Sequence, residues 1–347
     1  MDNLFVFIMA GGSGERFWPM SRTRTPKHLL RLLGDRTMLE EAVQRALGAV
    51  PADRVFVLTN TSQLEACRAA VPSLAAAQFI AEPAKRDTAP AAALATGFAR
   101  ARNPEAICAL LPDDSMIHDS AAFARQLLAA AQAVEGSSAL LTFSIPPTFA
   151  ATGYGYLKLR AQQPEGAWKV ERFVEKPDAD TAEEYVASGN YGWNAGMFVW
   201  RAEAFLAECD RLVPPLAGFI REFPAEDPTD YLAAKFECLP KISVDYAIME
   251  QAAEVISLKA EFDWDDVGAW TALPAHLGKN EAENTLKGPH AVLDSHNNIV
   301  VANARHIALC GVSDLVVVET PDAVLVCHRN AVQRIKNLQP LLPEDLR

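Results

Sequence analysis

The sequence contains no long hydrophobic run and few cysteines. The apolar run from Leu4 to Ala10 is far shorter than the roughly 20 residues that a membrane-spanning helix needs, and Asp2 stands where a secretory leader would carry basic residues. None of the six cysteines lies within four residues of another, which excludes a CxxC metal or redox motif. We expect Cys108 and Cys310, which lie in apolar segments, to be buried, and we expect reduced thiols and a cytoplasmic location.

Positive charge is also scarce. The chain has 32 Lys and Arg residues against 44 Asp and Glu residues, a formal net charge of -12 at pH 7. A surface this acidic repels nucleic-acid backbones and anionic membranes, so neither is an expected partner. A bound phosphate must therefore meet a local cluster of donors.

Residues 1–145 alternate short apolar runs with amphipathic stretches, which is typical of a parallel sheet with crossover helices. Thr37 with Glu40 and Ser62 with Glu65 predict helix-opening capping boxes. The predicted strands are Leu4–Ala10, 54–59, 107–111 and 139–145, and the predicted helices are 37–50, 88–102 and 121–134.

The character of the sequence changes near residue 285. Residues 150–285 mix strands and helices, whereas residues 286–347 contain short β-type runs separated by turns, which predict a small β-solenoid or β-roll. A short final helix is expected over 331–338. We therefore predict two domains, at 1–285 and 286–347.

A glycine-rich loop follows the first strand directly. Backbone N–H groups of Gly11, Gly12 and Gly14 could approach an anion. The loop is neither of the two common glycine motifs, because Phe17 stands at the third Rossmann glycine and the Gly-Lys-Ser/Thr ending is absent. A structural turn and a solvated basic loop are the alternatives. Phosphate binding is favoured by the neighbouring cations, which would neutralise a triphosphate and its departing pyrophosphate: Arg16, Arg22, Arg24 and Lys27.

Aspartates follow at two later points. Asp113 and Asp114 end a predicted parallel strand, where open α/β sheets bind ligands. Asp263, Asp265 and Asp266 belong to the run FDWDDVGAW. A magnesium ion that also binds phosphates needs one or two protein carboxylates, so one aspartate from each cluster would suffice. Read alone, each cluster is more often a turn or a helix cap than a metal site.

Taken together, these segments resemble a known family. The run GGSGERFWPMSRTRTPKHLL is similar to the opening motif of the sugar-phosphate nucleotidyltransferases, and its FWPMSR centre resembles their mannose-1-phosphate guanylyltransferase branch. The resemblance continues in order along the chain, through EPAKRDTAPA, LLPDDS, TGYGY, FVEKPD, WNAGMFVW, SVDYAIME and DWDDVGAW.

The resemblance implies a fold and a set of site residues. The fold would be a Rossmann-like nucleotidyltransferase domain with a mixed, mainly parallel sheet, followed by a small C-terminal β-helix or β-roll. The resemblance implies phosphate binding by Gly11, Gly12, Gly14, Arg16 and Lys27; guanine binding by Glu82, Arg86, Asp87 and Thr88; mannose binding by Gly155, Glu175, Asn194 and Asp245; sugar-phosphate binding by Lys176; and magnesium binding by Asp114 and Asp266.

Three positions depart from the family pattern. His28 replaces a common glutamine, Asp87 the usual asparagine, and Ser115 a common histidine. A carboxylate at Asp87 can accept hydrogen bonds from the N1–H and N2–H₂ donors of guanine, so the change is compatible with guanine but leaves base selectivity open. The family's long form adds a phosphomannose isomerase domain, and because this sequence stops at Arg347 we expect the short form.

The implied reaction transfers GMP from GTP to mannose-1-phosphate, with Mg²⁺ as the cofactor. Its partners would be these small molecules, and the β-rich tail is compatible with a homodimer. Two alternatives stay open: a transferase for another base or hexose, and a non-catalytic paralogue that binds nucleotide sugars, although the charged site residues argue against the paralogue. A plain NAD-binding protein is excluded by the missing third glycine and by the arginine-rich loop.

Overall fold

The computed structural model describes residues 2–12, 14–162 and 166–347, so Ser13 of the glycine-rich loop lies outside the described residues. The chain forms two compact units. The first unit comprises Met1–Ala10, Ala42–Asp113 and Ile117–Trp264, and the second comprises Gly11–Glu41, Asp114–Met116 and Asp265–Arg347. The predicted domain boundary after residue 285 stays a prediction.

A nine-stranded sheet runs through the described part of the first unit, in the order β3-β2-β1-β4-β8-β5-β9-β7-β6. β1 is parallel to β2 and to β4, whereas β8 is antiparallel to β4 and to β5. The mixed sheet confirms the predicted fold class, although its described pairings are parallel in four cases and antiparallel in five, so the sheet is not mainly parallel. Its strands are β1 (Leu4–Ala10), β2 (Val55–Asn60), β3 (Phe79–Glu82), β4 (Ile107–Pro112), β5 (Leu140–Ile145), β6 (Gly155–Gln162), β7 (Trp168–Glu175), β8 (Tyr191–Arg201) and β9 (Val255–Lys259).

Helices follow most of these strands. None of the helices in the described ranges is long and apolar enough to cross a membrane. The helices are α1 (Met38–Leu47), α2 (Leu64–Ala70), α3 (Thr88–Arg102), α4 (Ser120–Val134), α5 (Ala179–Ser188), α6 (Ala202–Leu212), α7 (Pro214–Arg221), α8 (Thr229–Lys235) and α9 (Leu273–Leu277). A π-helical turn covers Asp245–Met249.

Local sequence accounts for the first elements. β1 lies between two parallel neighbours, which explains its uninterrupted apolar run. The capping box at α1 is present: the Thr37 backbone N–H donates to Glu40 Oε2 at 2.7 Å, and the Glu40 N–H donates to Thr37 Oγ1 at 3.1 Å. Both donors would otherwise lack a partner inside the helix.

Two expectations about local structure are wrong. Ser62 does not cap α2, because Asn60 Oδ1 accepts from Ser62 Oγ at 2.6 Å and from the Gln63 N–H at 3.0 Å and forms the turn itself. Cys108 is buried as expected, but Cys310 is exposed, since Leu309 takes the inward position of its strand. The predicted final helix is present, as a 3₁₀ helix over Arg329–Leu341.

The second unit contains a short β-helix, as predicted. β10, β12 and β14 pair in parallel, β11 pairs in parallel with β13, and β15 adds antiparallel to β14. One face of the larger sheet packs with Phe17, Trp18 and Trp270 in one apolar core, and Val300, Leu309 and Val317 form another. The strands are β10 (Thr285–Lys287), β11 (His290–Leu293), β12 (Ile299–Val301), β13 (Ile307–Cys310), β14 (Leu315–Glu319) and β15 (Val324–His328).

Candidate functional site

Gly14 fixes the conformation of the glycine-rich loop in the second unit. Its φ of 64° lies in the left-handed region, and a Cβ added there would collide with Lys27 Cβ and come within 2.8 Å of the Lys27 backbone nitrogen. Its carbonyl accepts from the Phe17 N–H at 2.9 Å and from Ser21 Oγ at 2.7 Å. Only glycine fits this position, so the loop passes directly against Lys27.

Lys27 connects two other predicted site residues, Asp114 and Asp266. Its side chain is buried, and Nζ donates to Asp114 Oδ2 at 2.9 Å, to the Asp114 carbonyl at 3.2 Å and to the Asp266 carbonyl at 2.8 Å. These contacts match the three donors of an ammonium group. The structure therefore brings Gly14, Lys27, Asp114 and Asp266 together within the second unit.

A strained turn carries Asp266. Val267 has a φ of 43°, which is a genuine outlier for a β-branched residue, and its side chain is fully buried. Asp265 Oδ1 accepts from the Val267 N–H at 2.7 Å, and Asp265 Oδ2 lies 3.2 Å from His276 Nε2. Burial acts to raise the pKa of Asp265, but the contacts with His276 and Val267 hold this pKa below its ordinary value. The ionised Asp265 side chain therefore stabilises the N-terminal side of this turn.

Asp114 and Asp266 are the residues of this group that could hold a hard divalent cation. The Asp114 side chain is 41% exposed, so its carboxylate can reach a ligand while it contacts Lys27. The described ranges hold no cluster of three or more His, Cys, Asp or Glu side chains arranged for a metal ion. A site with two protein carboxylates fits Mg²⁺ when substrate phosphates supply other oxygen ligands.

The arginines of the loop differ in their partners. Arg16 is exposed, and its Nη1 donates to the neutral side-chain oxygen Gln333 Oε1 at 3.2 Å. Arg22 donates from Nη1 to the Pro19 carbonyl and from Nη2 to the Asp322 carboxylate at 3.1 Å. Arg24 is exposed. The charge of Arg22 is therefore compensated inside the protein, whereas the partner of Arg16 carries no charge.

Asn194 is the centre of a polar network in the first unit. Its side-chain oxygen accepts from Thr142 Oγ1 at 2.7 Å and from the Gly196 N–H at 3.2 Å. These bonds orient the amide, so Nδ2 donates to Asp245 Oδ1 at 3.2 Å. The network joins two predicted sugar-binding residues, Asn194 and Asp245, that lie far apart in the sequence.

Gly155, Glu175 and Lys176 adjoin this network. A Cβ at Gly155 would come within 2.5 Å of Glu175 Oε2 and 3.3 Å of Asn194 Cβ, so only glycine leaves room for that carboxylate. Glu175 Oε1 pairs with Lys176 Nζ at 2.8 Å. Burial acts to lower the pKa of Lys176, but Glu175 and then Asp245 raise it overall. Lys176 is therefore cationic and 57% exposed.

Two carboxyl groups of the first unit have strongly raised pKa values. Burial raises the pKa of Asp245 to about 7, and the negative charge of Glu175 adds to the effect. Burial raises the pKa of Glu82 to about 8. Both groups titrate near neutral pH, which is a common property of functional sites.

The predicted base-binding segment lies at the start of α3. Asp87 has a φ of 70° and caps the helix by accepting from the Thr88 N–H at 2.9 Å. Thr88 Oγ1 accepts from the Val244 N–H at 2.9 Å, which attaches the segment before Asp245 to α3. Arg86 Nη2 lies 3.8 Å from Glu237 Oε1. Thr88 thus has a structural partner, and guanine recognition by these residues stays a prediction.

Sequence reasoning missed residues that support the predicted ones. Thr142 and Gln333 orient Asn194 and Arg16, and Val267 shapes the turn at Asp266. Thr142 reads as an ordinary strand residue, and Gln333 as a polar position in the last helix. No local signal identifies either, because their partners are distant in sequence.

Two family models match this chain. The nucleotidyl transferase model matches residues 6–282, and the model of the MannoseP isomerase/GMP-like β-helix domain matches residues 288–339. The chain is 37% identical to a mannose-1-phosphate guanylyltransferase of Klebsiella pneumoniae, in an alignment that covers 99% of this chain and 75% of that protein.

The chain belongs to the nucleotidyl transferase family, in its mannose-1-phosphate guanylyltransferase branch. This nucleotidyltransferase is also 37% identical to the alginate biosynthesis protein AlgA of Pseudomonas aeruginosa, over 95% of this chain and 70% of that protein. Its fold matches the crystal structure of a mannose-1-phosphate geranyltransferase from Thermus thermophilus with a TM-score of 0.90 and 32% identity, covering 98% and 99% of the two chains. The family predicted from the motif blocks is confirmed.

Proposed function

We propose that this nucleotidyltransferase transfers GMP from GTP to mannose-1-phosphate, giving GDP-mannose and pyrophosphate. The observation that carries the proposal is that Lys27 Nζ donates to the Asp114 carboxylate and to the Asp266 backbone carbonyl beside the left-handed Gly14. A glycine loop, a buried cation and two carboxylates are the groups that a nucleoside triphosphate with a divalent ion requires. Relatives named for this reaction share the branch.

The chemistry is an in-line displacement. A phosphate oxygen of mannose-1-phosphate attacks the α-phosphorus of GTP, the new P–O bond forms, and the bond to the β-phosphate oxygen breaks as pyrophosphate leaves. The attacking oxygen is already an anion at neutral pH, so the reaction needs no protein base and no covalent nucleophile. Catalysis then depends on alignment and on charge neutralisation.

The residues of the second unit act on the triphosphate. Backbone N–H groups of Gly11, Gly12 and Gly14 bind phosphate oxygens, and Arg16 and Lys27 stabilise the charge on the leaving pyrophosphate. Asp114 and Asp266 would hold magnesium, which supplies positive charge to the phosphates when it is bound. Lys27 keeps Asp114 and the Asp266 turn in place before substrate enters.

The residues of the first unit act on the sugar and the base. Gly155, Glu175, Asn194 and Asp245 bind mannose hydroxyl groups, and Lys176 binds the sugar phosphate. Glu82, Arg86, Asp87 and Thr88 recognise guanine. Asp87 already accepts from the Thr88 N–H, which leaves its second carboxylate oxygen for the N1–H or N2–H₂ of guanine.

Asp87 favours one alternative, a transferase with wider base selectivity. Asparagine offers a donor and an acceptor, whereas a carboxylate only accepts, so the change alters which base edge is matched. We place the reaction in the cytoplasm, in keeping with the free cysteines of the chain. A homodimer stays a prediction.

A substrate panel tests the proposal. Purified protein is incubated with magnesium, each of several NTPs and each of several hexose-1-phosphates, and pyrophosphate release is measured. We expect release with GTP and mannose-1-phosphate. Faster pyrophosphate release with another NTP or hexose-1-phosphate would favour a transferase of different selectivity. No pyrophosphate release with any pair would favour a non-catalytic binding protein.

A further inference from the structure

Arg16 has a fixed backbone and a long, exposed side chain. It lies in the 3₁₀ turn Glu15–Phe17, which begins at the left-handed Gly14. Phe17 is fully buried, and its ring packs edge-to-face on Trp270 with centroids 5.1 Å apart. The turn therefore holds the Arg16 backbone, but it leaves the flexible side chain to be ordered by something else.

The side chain of Gln333 orders the Arg16 side chain through a hydrogen bond. It lies in the 3₁₀ helix Arg329–Leu341 between Val332 and Ile335, each of which is only 2% exposed and belongs to the same apolar core as Phe17 and Trp270. Gln333 Oε1 thus projects from an anchored backbone and accepts from Arg16 Nη1 at 3.2 Å. The donor and the acceptor are both attached to one core.

The neutrality of Gln333 distinguishes Arg16 from Arg22. Arg22 donates to the Asp322 carboxylate at 3.1 Å and its guanidinium lies 5.4 Å from the Trp18 ring centroid, so its charge is engaged within the protein. An amide oxygen orders a guanidinium without cancelling its charge, and it occupies one of five N–H donors. A carboxylate in the same place would compete with phosphate for the cation.

We propose that Gln333 is a positioning residue for Arg16: its amide oxygen orients the Arg16 guanidinium for the triphosphate and leaves its charge available. This inference rests on the proposed function, in which Arg16 binds the phosphates of GTP. It assigns the C-terminal 3₁₀ helix a part in nucleotide binding, and it makes Arg22 a structural residue.

Direct binding of magnesium GTP, measured by calorimetry, tests the proposal without requiring turnover. We expect Gln333→Ala to raise the Kd for GTP about three- to tenfold, the range for loss of one orienting hydrogen bond. Gln333→Glu should raise it further, about tenfold or more, because an ion pair would neutralise Arg16. The matched control Asn337→Ala, which removes another exposed amide from the same helix, should bind GTP like the wild type.

A double-mutant cycle separates positioning from a general structural role. In an Arg16→Ala background, Gln333→Ala should have no further effect on the Kd for GTP, and the thermal midpoint and the KM for mannose-1-phosphate should stay unchanged. Wild-type binding by Gln333→Ala, or an undiminished effect in the Arg16→Ala background, would overturn the inference. Failure of the proposed function would appear separately, as a wild-type protein that makes no GDP-mannose.

Discussion

The two sets of predicted site residues are built in different ways. In the second unit the site consists of backbone conformation and cations: the left-handed Gly14, the strained Val267 and the buried Lys27. In the first unit it consists of side chains that orient one another, in which Thr142 holds Asn194 and Asn194 contacts Asp245. The predicted phosphate site therefore depends on backbone conformation and a buried cation, and the predicted sugar site depends on a network of hydrogen-bonded side chains.

The largest expected effect tests the charged part of the second unit. Asp266→Asn keeps the shape of the side chain and removes its charge, and we expect turnover to fall by roughly 10² or more, as for loss of one electrostatic stabiliser. Pyrophosphate release at saturating magnesium measures it. Asp263→Asn is the matched control, since Asp263 accepts from the backbone N–H groups of His118 and Asp119 and asparagine can still accept. Near-normal turnover in Asp266→Asn would remove this residue from the metal site.

The second prediction concerns the backbone of the loop. Gly14→Ala should raise the KM for GTP about tenfold or more and lower the free energy of unfolding by at least about 1–2 kcal/mol, because the left-handed conformation costs that much and the collision with Lys27 adds to it. Gly34→Ala is the control, because Gly34 lies outside the proposed phosphate site and a Cβ there has no described atom within 4 Å. Equal effects of the two substitutions would show that loop shape does not matter.

The third prediction separates the two units by substrate. Lys176→Ala removes an exposed cation next to Glu175, and we expect the KM for mannose-1-phosphate to rise about tenfold because a charge-assisted contact is lost. The KM for GTP should stay near the wild-type value. If only the KM for GTP rises, Lys176 binds the triphosphate, and its assignment to the sugar-binding residues of the first unit is wrong.

The last prediction concerns how the free energy of unfolding depends on pH. The raised pKa of Asp245, about 7, means that the folded state keeps a proton which the unfolded chain releases near pH 4, so its contribution falls as the pH rises from about 4 to about 7. Asp245→Asn should therefore be more stable than the wild type at pH 8, by about 1–3 kcal/mol in the free energy of unfolding. Denaturant unfolding at pH 5 and pH 8 measures it.

Asp263 provides a control, because its pKa is shifted in the opposite direction to that of Asp245. Burial acts to raise the pKa of Asp263, but hydrogen bonds from Asp119 and His118 hold it below its ordinary value. Its stabilising contribution is present above the unfolded pKa and is lost as the pH falls. Asp263→Asn should therefore be less stable than the wild type at pH 8. Parallel pH profiles for the two variants would contradict the assigned pKa shifts.

Sequence reasoning predicted the elements whose signals are local. β1 spans Leu4–Ala10 as expected, because an uninterrupted apolar run suits a strand between two parallel neighbours. The capping box at Thr37 and Glu40 formed, since both partners lie within one turn. The predicted capping box at Ser62 is absent, because the side chain of Asn60, at the end of β2, accepts from the Gln63 N–H and forms the turn before α2.

Contacts between distant residues could not be predicted in the same way. Motif resemblance named Asn194 and Asp245, but nothing in the strand around Thr142 indicated that it orients them. The bond from Arg16 to Gln333 joins residues 317 positions apart. Periodicity describes one segment at a time, and such bonds depend on how the segments fold together.

Labelled GTP tests the central claim most directly. Wild-type protein is incubated with mannose-1-phosphate and GTP labelled at either the α- or the γ-phosphorus, and the products are separated. Guanylyl transfer predicts that the α-label appears in GDP-mannose and the γ-label in pyrophosphate. A γ-label in the sugar product, or no labelled sugar nucleotide at all, would contradict the account.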